Sequence, residues 1–131
     1  MNKTITAANA PAASGPYCHA KLAGNMLFIS GQLGVDPATG EMGADVSAQA
    51  KLALNNLGII LKEAGMDYTD VVKTTVFLAD MGDFATINAI YADVFKTEPL
   101  ARSCFQVAGG EHPLPPARTL VEGYSAALEA V

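Results

Sequence analysis

An α+β fold, with two helices on one face of a mainly antiparallel or mixed sheet, is predicted by three observations. Five segments are rich in β-branched and apolar residues at strand length, and two intervening segments switch to helical period. Their order, β-β-α-β-α-β-β, suits a two-layer sandwich better than a bundle or a barrel. At 131 residues and 50% hydrophobic content the chain fits one domain, 1–131, able to close a core without metals or disulfides.

The start, "MNKTITAANAPAASGP", lacks the apolar centre of a signal peptide, and no run in the chain is long enough to span a bilayer. Ala, Pro, Ser and Gly dominate residues 7–16, so an irregular arm is expected there, with regular structure beginning at Tyr17. "YCHAKLA" and "MLFISGQLG" flank Gly24 and Asn25, the spacing of a tight hairpin. "VDPATGE" signals a further turn with a short strand on either side. Over residues 45–64 the apolar positions Val46, Ala50, Leu54, Leu57, Leu61 and Ala64 recur at helical spacing, with Asp45 or Ser47 to cap the start and Gly65 to stop the end. "DVVKTTVFLAD" follows as a strand. Asp83 is then expected to cap a second helix that carries Phe84, Ile87, Ile90, Tyr91, Val94 and Phe95 and fades before Pro99. "RSCFQVA" and "TLVEGYSAAL" supply the last strands, separated by the loop "GGEHPLPPAR".

Two helices cover only one face of such a sheet, yet "MLFIS" and "VVKTTVFL" place apolar or small residues on both faces. Either other subunits bury the second face or loops and the arm cover it; an oligomer is the favoured expectation.

Charge and motifs exclude several classes. With 8 Lys plus Arg against 13 Asp plus Glu and no basic run, nucleic acid and anionic membranes are poor partners. Two cysteines without a framework, Cys18 and Cys104, fit a reducing compartment, and a cytoplasmic location is expected. No phosphate-binding loop or dinucleotide fingerprint is present, and His19 and His112 have no second ligand at metal spacing. No cofactor or metal is expected.

What remains is a short set of candidates: Tyr17, Ser30 with Gly31, Arg102, Cys104 and Glu122. Arg102, in "PLARSC", stands at the threshold of an apolar strand, where a guanidinium fork can hold a carboxylate by paired hydrogen bonds. A structural ion pair is the competing use of such an arginine. Glu122 interrupts a strand otherwise free of charge; it either faces solvent or is held in a cleft where burial raises its pKa toward neutrality. Cys104 is either a cleft residue or a small buried hydrophobe.

"SGPY" (14–17), "ISGQLGVDPATGE" (29–41), "VVKTTVFLADMGDFATINAIY" (71–91), "ARSC" (101–104) and "VEGYSA" (121–126) together resemble the reactive intermediate deaminase family of RidA type, also called YjgF-like or L-PSP. The likeness runs in order over nearly the whole chain. It implies a chorismate-mutase-like (bacillus type) homotrimer with clefts between subunits, in which reactive 2-imino acids are hydrolysed to 2-keto acids and ammonia. The resemblance puts the carboxylate-binding arginine at Arg102 and the glutamate that positions water at Glu122. It sets Tyr17, Ser30, Gly31 and Asn88 around the substrate and Cys104 beside the imine. Three features depart from the family pattern: a shorter connection before Arg102, a longer loop at 109–118, and Gly123-Tyr124 where a second glutamate is usual. A non-catalytic module for small carboxylates, a chaperone-like protein and an endoribonuclease remain as alternatives.

Overall fold

The computed structural model describes residues 2–13, 15–97 and 99–107, together with the backbone of 119–126. Its organising element is the hairpin of β2 (Ala20–Ala23) and β3 (Met26–Leu33), closed by Gly24 and Asn25. Gly24 has φ +62° and Asn25 does not share the positive φ, so the turn is of the primed kind whose first position favours glycine. Upstream, β1 (Lys3–Ile5) pairs antiparallel with β2. Regular structure therefore begins at Lys3 and not at Tyr17, and residues 17–19 precede the strand. A three-residue strand with one inward apolar residue, Ile5, is too short to show a period. The "VDPATGE" turn carries a single bridge, Val35 to Met42.

Helix α1 (Val46–Glu63) starts where Asp45 accepts a hydrogen bond from the Ala48 N–H at 2.8 Å. It ends at Gly65, φ +76°, where the Gly65 and Met66 N–H groups return to Lys62 and Leu61 carbonyls, the two bonds of a Schellman closure. β4 (Val71–Leu78) follows a 3₁₀ turn whose capping box joins Asp67 and Asp70. Helix α2 (Phe84–Val94) departs from expectation at its start. Asp83 already has helical backbone angles and its side chain makes no capping hydrogen bond; Asp80 instead accepts from Gly82 and caps a 3₁₀ turn that feeds the helix.

With β5 (Ala101–Gln106) and β6 (Thr119–Ala126) the sheet order is β1-β2-β3-β6-β4-β5. Only β4 and β5 run parallel; the other described pairings are antiparallel, so the sheet is mixed. Leu54, Leu57, Ile60 and Leu61 of α1 and Ile87 of α2 are buried with Leu27, Val76 and Leu78 of the sheet. The opposite face stays partly apolar: Phe28 is 43% and Phe105 52% exposed, and Phe77 stacks on Phe105.

Candidate functional site

Strand register brings one group of candidates together. Parallel pairing sets Arg102 opposite Thr74 and Cys104 opposite Val76, and Thr74 and Val76 are buried beneath the helices. Arg102 and Cys104 therefore share the helix-covered side of the edge strand, beside α2. Arg102 Nη2 donates to Asn88 Oδ1 at 2.6 Å. Its guanidinium carbon lies 4.9 Å from the Tyr91 ring centre and 5.4 Å from that of Phe84, a cation–π position on both. Residues 84, 88 and 91 fall on one face of α2, so a single helical stripe supplies both rings and the amide.

Burial pushes the Tyr91 hydroxyl up to about 12, against the opposing pull of Thr74, 2.9 Å away, and of Arg102. It is neutral at physiological pH. Burial also raises the Cys104 thiol, with Arg102 acting in the other direction. A raised thiol is a poor nucleophile near pH 7. Beside Arg102 opens a cleft of about 560 Å³, bordered by Asn88, Tyr91, Phe95 and Leu100.

The second group gathers at a β-bulge. The β3–β6 register runs from Ile29 opposite Gly123 to Gln32 opposite Val121, so Ser30 and Gly31 together face Glu122. Ser30 is tied down twice, its N–H to the His19 carbonyl at 3.0 Å and its Oγ to the Cys18 carbonyl at 2.7 Å. Gly31 and the half-exposed Tyr17 line a cleft of about 260 Å³ with Ala12, Ala13 and His19. On its other edge Glu122 is in register with Thr75. The side chain of Glu122, and the loop 109–118 with Glu111 and His112, lie outside the described residues.

One chain thus holds two groups. Arg102, Asn88 and Cys104 stand on β5 and α2, whereas Tyr17, Ser30 and Gly31 stand at β3, three strand spacings or about 14 Å across the sheet. Glu122, on β6, stands between them, one strand spacing from the Ser30–Gly31 bulge and two from β5. Sequence reasoning missed the aromatic cradle, since Phe84 and Tyr91 read as core. The signal was Asn88, a polar residue inside an apolar helical stripe. It also missed His19, whose two ring nitrogens bond to the backbone of the arm. Among the described residues no three metal-ligating side chains cluster.

The family described as Endoribonuclease L-PSP matches residues 7–127. The chain is 52% identical over 112 residues to the 2-iminobutanoate/2-iminopropanoate deaminase of Escherichia coli (strain K12), covering 82% of this chain and 87% of that one. To the Homo sapiens protein of the same name it is 50% identical over 109 residues, 82% of this chain and 80% of that one. Among solved structures, E. coli TdcF with bound serine matches with a TM-score of 0.86 and 41% identity, over 95% of this chain and 98% of that one.

Proposed function

The chain belongs to the Endoribonuclease L-PSP family, and from that membership we propose that it is an enzyme that hydrolyses 2-iminobutanoate and 2-iminopropanoate to 2-keto acids and ammonia. The observation that carries the proposal is identity of about half, over most of the chain, to relatives named for that activity. The geometry around Arg102 supports it. A fork held by Asn88 and backed by two rings is suited to a small carboxylate, and serine, bound in the TdcF structure, is a molecule that carries one.

In the proposed reaction Arg102 holds the substrate carboxylate and Glu122 orients a water toward the C=N carbon. Water oxygen bonds to that carbon, the π pair moves to nitrogen, and Glu122 accepts the water's proton and passes it to the nitrogen. Glu122 then moves the carbinolamine's hydroxyl proton to the nitrogen, the C–N bond breaks with its electron pair leaving on ammonia, and the C–O bond becomes C=O. Cys104 takes no covalent part, in keeping with its raised thiol.

Arg102 on β5 lies two strand spacings from Glu122 and three from Ser30 and Gly31 within one chain, and in this proposal the site is completed between copies, in a chorismate-mutase-like homotrimer. Tyr17, Ser30, Gly31 and Glu122 of one copy would close on Arg102, Asn88 and Cys104 of the next. The position of β5 at the sheet edge and the exposure of Phe105 on it support this arrangement. No helix of the described residues is long and apolar enough to cross a membrane, and a cytoplasmic location belongs to the same proposal.

The test is to generate 2-iminobutanoate in situ and follow its loss with and without the protein. Acceleration supports the proposal; tight binding of the keto acid without acceleration identifies a carboxylate-binding module instead. The ribonuclease in the family's description would need phosphate contacts that a net charge of -5 supplies poorly. Incubation with single-stranded RNA is the matching control.

A further inference from the structure

His19 is 6% exposed and uses both ring nitrogens on the N-terminal arm. Nδ1 lies 3.0 Å from the Ala7 nitrogen and Nε2 2.8 Å from the Pro11 carbonyl oxygen. An amide N–H can only donate and a carbonyl can only accept, so Nε2 carries the proton and Nδ1 is the acceptor. One neutral tautomer thus closes the arm into a clasped loop between residues 7 and 11. The same residue's own carbonyl takes the Ser30 N–H, and its neighbour Cys18 takes the Ser30 hydroxyl. Arm and bulge are consequently joined through His19, by its side chain on one side and its backbone on the other.

The clasped arm is also a wall of the candidate site. Ala7 and Ala10 are buried anchors, while Ala12 and Ala13 line the cleft that Tyr17 and Gly31 share. A second, open cleft of about 340 Å³ is bordered by Thr6, Ala7, Ala10 and Ala12 of the arm and by residues 17–19. We infer that His19 is a positioning residue that sets the arm as one wall of the substrate cleft, and so limits the side chain that the 2-imino acid can carry. This inference rests on the imine-hydrolase proposal for its substrate, but not for the clasp itself.

The test compares His19→Leu, which removes both bonds, with His19→Gln, whose amide offers an acceptor and a donor on one planar head. In His19→Leu, KM for 2-iminopropanoate should rise about tenfold, kcat should change less than about threefold, and discrimination between the propanoate and butanoate substrates should narrow. His19→Gln should restore KM and discrimination. Unchanged KM in a folded His19→Leu, or equal impairment in both variants, would overturn the inference. In the wild-type chain, a ¹H–¹⁵N correlation should find the His19 proton on Nε2, and the Ala7 amide should exchange slowly. A proton on Nδ1, or an unprotected Ala7 amide, would overturn the clasp even if His19→Leu fails to fold. Should the wild-type chain prove inert toward imines, the function falls, while the tautomer and the Ala7 exchange still decide the clasp.

Discussion

A lysine at position 102 would keep the charge between Phe84 and Tyr91 but lose the planar fork that Asn88 holds. Arg102→Lys should therefore lower kcat/KM for 2-iminobutanoate by about 100-fold or more, with the circular dichroism spectrum unchanged. Near-normal turnover would mean that the carboxylate is held elsewhere. Glu122→Gln removes the basic oxygen while keeping size; turnover should drop by roughly two to four orders of magnitude with little change in 2-ketobutanoate affinity. Loss of affinity large enough to explain the whole defect would assign Glu122 to binding. Cys104→Ser should retain most activity, because burial disfavours the thiolate that a covalent route would need. Its inactivation with the fold intact would reverse that role. At this scale Arg102 was legible as a candidate, by its isolation before an apolar strand and its place in "ARSC". His19 was not. Its partners are backbone atoms of residues 7 and 11, and backbone partners leave no trace in residue identity.

Strand and helix meet closely just after β3, where a Cβ at Gly34 would overlap the backbone of Gln49 in the first turn of α1. Nearby, the buried Asn56 amide donates to the Leu33 and Val35 carbonyls, so the end of β3 is fixed against the helix from two sides. Backbone cannot yield as a side-chain tip can, and Gly34→Ala should cost about 2–4 kcal/mol. Thermal unfolding checks it; an unchanged Tm would show that the junction has slack. Elements with long repeats were readable: α1 matches its apolar period and both of its end signals. The start of α2 was misread because Asp80 and Asp83 carry the same capping chemistry, and only the backbone angles at Asp83 show which of them lies outside the turn. The bulge at Ser30 and Gly31 is a matter of pairing count, which the strand's own sequence does not contain.

For the whole molecule the question is how the two groups of candidates meet. Native mass spectrometry at low micromolar concentration should show three chains. Phe105→Glu, which puts a charge on the exposed aromatic of the edge strand, should shift the population to monomer and abolish imine hydrolysis, while fluorescence-monitored unfolding remains cooperative. A fully active monomer would refute the shared site. Apolar residues on both strand faces made the case for expecting an oligomer legible in the sequence. The separation of Arg102 from Ser30 was not, because it depends on strand order, and β6 inserts between β3 and β4 against the order of the chain.

That insertion also governs how the chain can fold. The segments β1-β2-β3-α1 and β4-α2-β5 lie on either side of β6 and join in the sheet only through it. Until residues 119–126 have left the ribosome, β3 and β4 both present open edges and α1 lacks part of the floor it packs on. Closure is then a long-range event, slow by contact order and late in synthesis, during which the half-built sheet is most exposed to pairing with strands of other chains.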